Sequence, residues 1–251
     1  MRQSFVALIP AFNCGDRIGA VVAGVRRHVA DVLVVDDGSS DRTAERARAA
    51  GARVVVHSEN QGKGPAIRSG LAVLLGQAFT HVLMLDADGQ HDPEDSPRFL
   101  AAASEADLVL GNRLWKPEAI PARRFWTNFV GTRALQLMTG FPLEDSQCGF
   151  RVVAASHLRR MGLVGNRYSV DTEILVRAGK LRARFAHVPV RVIYEGAVSH
   201  YRPIFDTVHI VLSAVRFKTD DRDLRVDPGV EAWRGLVSAP AVLDPSPGTL
   251  D

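Results

Sequence analysis

The chain has 251 residues, 46% of them apolar and 24% charged, enough for one large α/β domain or two small ones around a substantial core. A formal charge of +3 and a pI near 9.1 suit anionic ligands or a membrane surface, and are too weak a basic bias to point to nucleic acid. No apolar run approaches the ~20 residues that span a bilayer, and with two cysteines and no secretory-type leader a reducing cytosolic compartment is expected.

In chain order, the first half alternates short β-rich runs with helical stretches. Strands are predicted at Phe5–Ile9, Val32–Val35, Val54–His57, Val82–Leu85 and Leu108–Leu110, and helices at Arg17–Val29, Thr43–Ala50, Pro65–Leu75 and Pro93–Ala103. Apolar, scarcely alternating strands separated by helices predict a mostly parallel sheet covered on both faces. Ligands of such sheets bind outside the carboxyl ends of the strands. The polar clusters Pro10–Asn13, Asp36–Asp41, Glu59–Gly64 and Asp86–Asp92 fall at those ends, so four loops are expected to share one rim. The second half reads as a helix over Arg123–Met138, a loop at Asp145–Gly149, a strand at Phe150–Val153, a helix near Val170–Ala178, strand-like flanks around Pro189 and an amphipathic stretch Pro203–Phe217. Residues 1–227 are expected to form the folded unit, with a ligand-binding half to about 112 and a second half from 113. Residues 228–251, rich in Pro, Gly and Ser without periodicity, are expected to be a loose tail.

Three clusters carry candidate chemistry. In HVLMLDADGQHDP, Asp86 closes an apolar strand and Asp88 follows across Ala87. At a strand end that spacing lets two carboxylates reach one hard cation, Mg²⁺ or Mn²⁺, with Gln90 adding a neutral oxygen or a bound water. A lone D-x-D also describes a solvated acidic turn. Gly89 comes too early for an EF-hand loop. NQGKG, from Asn60 to Gly64, matches neither the Walker phosphate loop nor the dinucleotide fingerprint. It remains a flexible turn before a helix N-terminus, either a plain helix entry or a ligand loop with Lys63 and Arg68 near an anion. In DDGSSD, one of Ser39, Ser40 and Asp41 can cap the following helix. Asp36 and Asp37 could instead accept hydrogen bonds from a base or ribose.

The ordered set IPAFN, VVDDGSSDRT, NQGKGPAIRSG, LMLDADGQHDPE, GNR, DSQCGFR and YSVDTEI resembles family 2 of the glycosyltransferases. Within that family it looks like the dolichyl- and polyprenyl-phosphate sugar synthases. The resemblance runs from about Phe5 to Phe217 and implies a GT-A fold, Rossmann-like and single-domain. It implies an inverting, metal-dependent transfer from a UDP- or GDP-sugar to a polyprenyl phosphate. Asp86 and Asp88, assisted by Gln90, would hold the metal; Pro10, Ala11, Asn13, Asp36, Asp37, Gly62, Lys63 and Ala87 would line the donor. Arg113, Arg124 and Asn128 would face the donor diphosphate or the acceptor phosphate, joined by Gln147 and by His200 when protonated. Asp145 is either the base for an acceptor hydroxyl or an orienting group for the acceptor loop. Two departures stand out: Cys14 follows Asn13 where many members carry Glu, and Ser199-His200 stands where the branch often has Ser-Lys.

A lipid acceptor requires access to a bilayer, at its cytoplasmic face in this reading, peripherally or through a partner. Arg123–Met138 interleaves Arg123, Arg124 and Arg133 with Phe125, Trp126 and Phe129, as an interfacial helix would. The apolar residues of Pro203–Phe217 are expected mainly in the core. Other readings are a soluble transferase acting on a sugar or peptide hydroxyl with Asp145 as base, and a nucleotide-sugar-binding protein without turnover.

Overall fold

The computed structural model describes residues 3–167, 169–191, 193, 203–220, 224 and 242–243. Strands β1 (Phe5–Ala11), β2 (Asp31–Asp36), β3 (Arg53–Val56) and β4 (His81–Met84) alternate with helices α1 (Gly15–Arg26), α2 (Thr43–Ala49) and α3 (Lys63–Leu74). All four strands run parallel, in the order β3-β2-β1-β4. Successive side chains of β1 go to opposite faces. Val6 and Leu8 join one apolar cluster with Leu33 and Val35, while Ala7 and Ile9 join the other with Val32 and Val34. A strand buried on both sides needs apolar residues at every position, which is why these runs do not alternate.

Helices α1, α2 and α4 (Ser96–Ala102) cover one face through Ile18, Val22, Ala47 and Phe99. The other face is covered by α3 and by elements of the second half. These are α5 (Ala122–Thr139), α6 (Ala155–Met161), α7 (Ser169–Lys180) and α8 (Pro203–Thr219). Two glycines in left-handed conformation, Gly140 and Gly162, stop α5 and α6.

The fold class matches the sequence expectation, and the sheet's order differs from it in one respect. β5 (Leu108–Asn112) does not pair with β4. Strand β6 (Arg151–Ala154) lies between them, antiparallel to both, and β7 (Phe185–Pro189) pairs with β5 in parallel. Antiparallel insertion follows because the excursion through α5 brings the chain back at the same end of the sheet where β5 finished, so that Arg151 at the start of β6 lies opposite Leu110. Helix α6 lies outside the predicted helices: it is short, and no side chain caps its start. Of the tail, only Val242–Leu243 is described. It pairs antiparallel with β3 as β8, so the expectation of a loose extension otherwise lies outside the described residues. The register aligns Ala11 with Asp36 and Asp36 with Val56, bringing the loops after β1 to β3 onto one edge.

Candidate active site

Asp86 follows β4 and Leu85, and its carboxylate sits at the centre of a charged cluster. Lys63, the first residue of α3, places Nζ 2.6 Å from Asp86 Oδ1 and 3.0 Å from Asp171 Oδ2 on α7. Arg151 on β6 is fully buried; its Nη2 donates to Asp171 Oδ1 at 2.7 Å and to the Cys148 carbonyl at 2.9 Å. Gly149 makes the close approach possible. A Cβ there would fall well inside van der Waals contact with Asp86 Oδ2. Pro10, Ile67, Met84 and Leu85 complete the walls of this small cavity.

Electrostatics separate the two carboxylates. Burial would raise the pKa of Asp86, but Lys63 outweighs it and the group is pushed down to about 2. Burial likewise opposes the charge on Lys63, yet Asp171 and Asp86 hold its pKa above the ordinary lysine value. Asp88 moves the other way, raised by burial and then by the charge of Asp86. Asp88 Oδ1 accepts from Gln90 N at 2.9 Å, and Arg17 Nη1 donates to the Asp88 carbonyl at 3.2 Å. Ala87, between the acids, is buried. Among the described residues no three His, Cys, Asp or Glu side chains group closely enough to hold a metal by themselves. His91 packs against Phe150, and burial pushes its ring down to about 4, leaving it neutral at pH 7.

The loops after β1, β2 and β3 are tied to one another. Asn13, with φ at +50°, donates its N–H to Ser39 Oγ and accepts from Ser40 N at its Oδ1. Asp36 is buried and accepts from Ser39 N at 3.0 Å. Asp37, also buried, takes His57 Nδ1 at 2.7 Å, Gln61 N at 3.0 Å and Gly62 N at 2.6 Å. An ionised carboxylate only accepts, so His57 donates to it from Nδ1, and Nε2 of the same ring pairs with Ser69 Oγ, 2.8 Å away. Asp37 was expected to face a nucleoside. Here two of its bonds, from Gln61 N and Gly62 N, shape the NQGKG loop, and Gly62, at φ +98°, turns the chain into α3. Arg68, expected near an anion, instead donates to the Gly165 carbonyl at 2.7 Å from a buried position.

In the second half, Arg113 and Asp145 find each other. Arg113 Nε and Nη2 form a fork on the carboxylate at 2.7 and 2.9 Å, and its backbone N–H adds a third bond at 3.1 Å. Gln147 N donates to Asp145 Oδ1 at 3.0 Å. Burial would raise the pKa of Asp145, 1% exposed, but Arg113 and these N–H groups hold it below the usual carboxylate range. Arg124 and the buried Asn128 lie on the first turns of α5. His200 lies outside the described residues.

Several groups that build the site escaped sequence reasoning. Asp171 stood within YSVDTEI and Arg151 within the run DSQCGFR, yet neither was given a role. Charged residues inside apolar runs were the available signal. Glu173 and Arg177, both fully buried, are of the same kind: Glu173 accepts from Val164 N, Gly165 N and Arg177 Nε, and Arg177 also reaches Asp220. They fix the 163–167 loop, whose Gly165 carbonyl packs where a Cβ on Gly64 would be.

The model for glycosyl transferase family 2 matches residues 6–162. The undecaprenyl-phosphate mannosyltransferase of Micrococcus luteus is 31% identical over 74% of this chain and 82% of its own. The dolichyl-phosphate hexose transferase of Haloferax volcanii is 31% identical over 75% and 82%. Among solved structures, glucosyl-3-phosphoglycerate synthase from Mycobacterium tuberculosis, in complex with Mn²⁺, UDP and phosphoglyceric acid, superposes with a TM-score of 0.64. It is 21% identical, covers 86% of this chain and 79% of that one, and shares the fold.

Proposed function

The chain belongs to glycosyl transferase family 2, and from that premise we propose that it moves a sugar from a UDP- or GDP-sugar to a polyprenyl phosphate of the dolichyl or undecaprenyl type, inverting the anomeric carbon. Glycosyl transfer is the chemistry of the family. The acceptor class follows the Micrococcus and Haloferax relatives, whose names specify lipid phosphates. The donor class follows the structural neighbour that binds UDP with a divalent metal.

The observation that carries the reading is the Asp86–Asp88 pair at the end of β4, with an ammonium already seated on Asp86. Such a donor set fits a hard dication, because the Lys63 ammonium stands in for positive charge at the same carboxylate. Asp86, Asp88 and Gln90 would hold Mg²⁺ or Mn²⁺, leaving the remaining coordination to diphosphate oxygens and water. Bound there, the metal would neutralise charge on the leaving diphosphate. Pro10, Ala11, Asn13, Asp36 and Asp37 build the nucleoside end of the pocket, the two buried acids largely by fixing the loops around it.

An oxygen of the acceptor phosphate attacks the anomeric carbon from the face opposite the nucleotide. The bond from that carbon to the diphosphate oxygen breaks, and the nucleoside diphosphate leaves with the electron pair. Arg113, Arg124, Asn128 and Gln147 orient the acceptor phosphate, the two guanidinium groups by charge-assisted hydrogen bonding. Asp145 anchors Arg113 and takes no proton. A phosphate acceptor is already ionised at neutral pH and needs no base. The depressed pKa of Asp145 therefore favours a phosphate acceptor over a hydroxyl that this residue would have to deprotonate.

Access to the lipid comes from α5. Trp126 (61% exposed), Val130 and Leu137 (86% exposed) form one outward stripe, with the exposed Arg123 and Arg133 beside it. Leu212 and Val215 on the neighbouring α8, expected in the core, are exposed as well, whereas Ala214 and Phe217 pack inward. No helix among the described residues is long and apolar enough to cross a membrane. Attachment in this reading is peripheral, at the cytoplasmic face.

The test is a donor screen with Mg²⁺ or Mn²⁺ and a short polyprenyl phosphate, read by product mass and run beside sugar and peptide alcohols. A lipid-phosphate-linked sugar supports the reading. Product only on the alcohols would overturn the acceptor, and tight donor binding without product on any acceptor would make the chain a binding protein.

A further inference from the structure

The position of Lys63 has a consequence for the order in which ligands enter. Its ammonium lies 2.6 Å from one oxygen of Asp86 and 3.0 Å from Asp171. Asp171 is itself held by Arg151, so Lys63, Arg151, Asp86 and Asp171 form a closed set of two positive and two negative charges. Asp88 adds one further negative charge beside it. A dication brought to Asp86 and Asp88 in the absence of any other anion would have to sit against this ammonium, and charges of like sign at such range repel strongly in a half-buried site. A nucleoside diphosphate changes the balance by bringing two to three negative charges. Lys63 can follow them, because its ammonium sits on a flexible four-carbon stem and keeps Asp171 as a second anchor when it leaves Asp86.

Resting on the metal site proposed above, we propose that Lys63 is an internal counter-ion that blocks the Asp86 side of that site until a nucleoside diphosphate draws it away, so that metal and donor bind as a pair. Metal alone meets the ammonium. Donor alone meets the negative charge of Asp88. Together they satisfy every group. The coupling is reciprocal, since whatever factor the nucleotide adds to metal affinity the metal must add to nucleotide affinity.

The experiment is equilibrium dialysis of Mn²⁺ against the full chain, with and without UDP or GDP, for the wild type and for Lys63→Met and Lys63→Gln. Circular dichroism and thermal unfolding verify that both variants are folded, and the Gln variant retains a hydrogen-bonding group should Met perturb the pocket. For the wild type, Mn²⁺ is expected to bind at least tenfold more weakly without nucleotide than with it. In both variants nucleotide-free affinity should rise at least tenfold and the enhancement by nucleotide should shrink correspondingly. Folded variants whose nucleotide-free Mn²⁺ affinity equals or falls below that of the wild type overturn the counter-ion role. Asp88→Asn, dialysed in parallel with nucleotide, distinguishes the two levels. If it abolishes Mn²⁺ binding while the Lys63 variants behave like wild type, only the counter-ion fails. If Mn²⁺ binding is absent or insensitive to Asp88→Asn, the metal site fails and the counter-ion with it.

Discussion

Replacing Asp145 with Asn removes a negative charge that receives the guanidinium fork and backbone N–H of Arg113 and the N–H of Gln147. The carboxylate is buried, and the Arg113 side chain is 14% exposed, so the orphaned guanidinium can recover only part of its hydration. Breaking a buried pair from one side costs about 3–5 kcal/mol, and the partial exposure of Arg113 places this case near the lower end, about 3 kcal/mol. For a chain of this length that lowers Tm by about 6–12 °C. Because Arg113 loses its anchor, the KM for a lipid phosphate should rise, while kcat, measured well below the new Tm, should stay within about tenfold. A general base would behave differently, its removal costing about 10²–10⁴ in rate with little change in stability. The sign of the pH dependence agrees with an anchoring role. The pKa of Asp145 is depressed in the fold, so its contribution to stability is complete above the unfolded value, about 3.9, and is lost as pH falls through the lower native value. Acid unfolding of Asp145→Asn should therefore lack this component. Unchanged Tm together with a kcat reduced a hundredfold or more would refute the reasoning and restore Asp145 as a base.

Gly149→Ala should displace the Asp86 carboxylate, because the new methyl has no room beside Oδ2. Mn²⁺ retention in the presence of UDP or GDP is expected to fall at least about tenfold (about 1.4 kcal/mol); unaltered retention would mean that Asp86 is not held where Gly149 puts it. Arg177→Met leaves the fully buried Glu173 without its cationic partner and should cost about 3–5 kcal/mol in urea unfolding, with the 163–167 loop the first to exchange its amides. A cost under about 1 kcal/mol would show that the Val164 and Gly165 N–H groups suffice to hold that carboxylate. Trp126→Glu combined with Leu137→Glu puts charges on the exposed stripe of α5 and should abolish co-sedimentation with anionic vesicles. Equal sedimentation of variant and wild type, or of wild type with and without vesicles, would remove α5 as the lipid-facing element.

The elements of the first half were legible because strand burial on both faces demands unbroken apolar runs, and polar clusters can then stand only at strand ends. That logic brings Asp36, Asp37, Gly62, Lys63, Asp86 and Asp88 to one rim from the sequence alone. It could not say which way each side chain points once there. Asp37 and Lys63 look equally available in a sequence, yet Asp37 is turned into a scaffold for the NQGKG loop and Lys63 is aimed at Asp86. Nor could it find contacts between distant segments. The pairing of Arg113 with Asp145, and of Arg151 and Lys63 with Asp171, joins residues 32, 20 and 108 positions apart.

By itself, then, the order of residues determined the α/β class, the rim and the acidic pair, since these follow from local periodicity and from where a chain can afford polar groups. Tertiary structure decided the antiparallel placement of β6, which brings Arg151 and the neighbouring Gly149 against Asp86 and Asp171. It also decided which charges neutralise one another. Charge pairing depends on distances of a few ångströms between segments far apart in the chain, and those distances exist only after the sheet has closed around them.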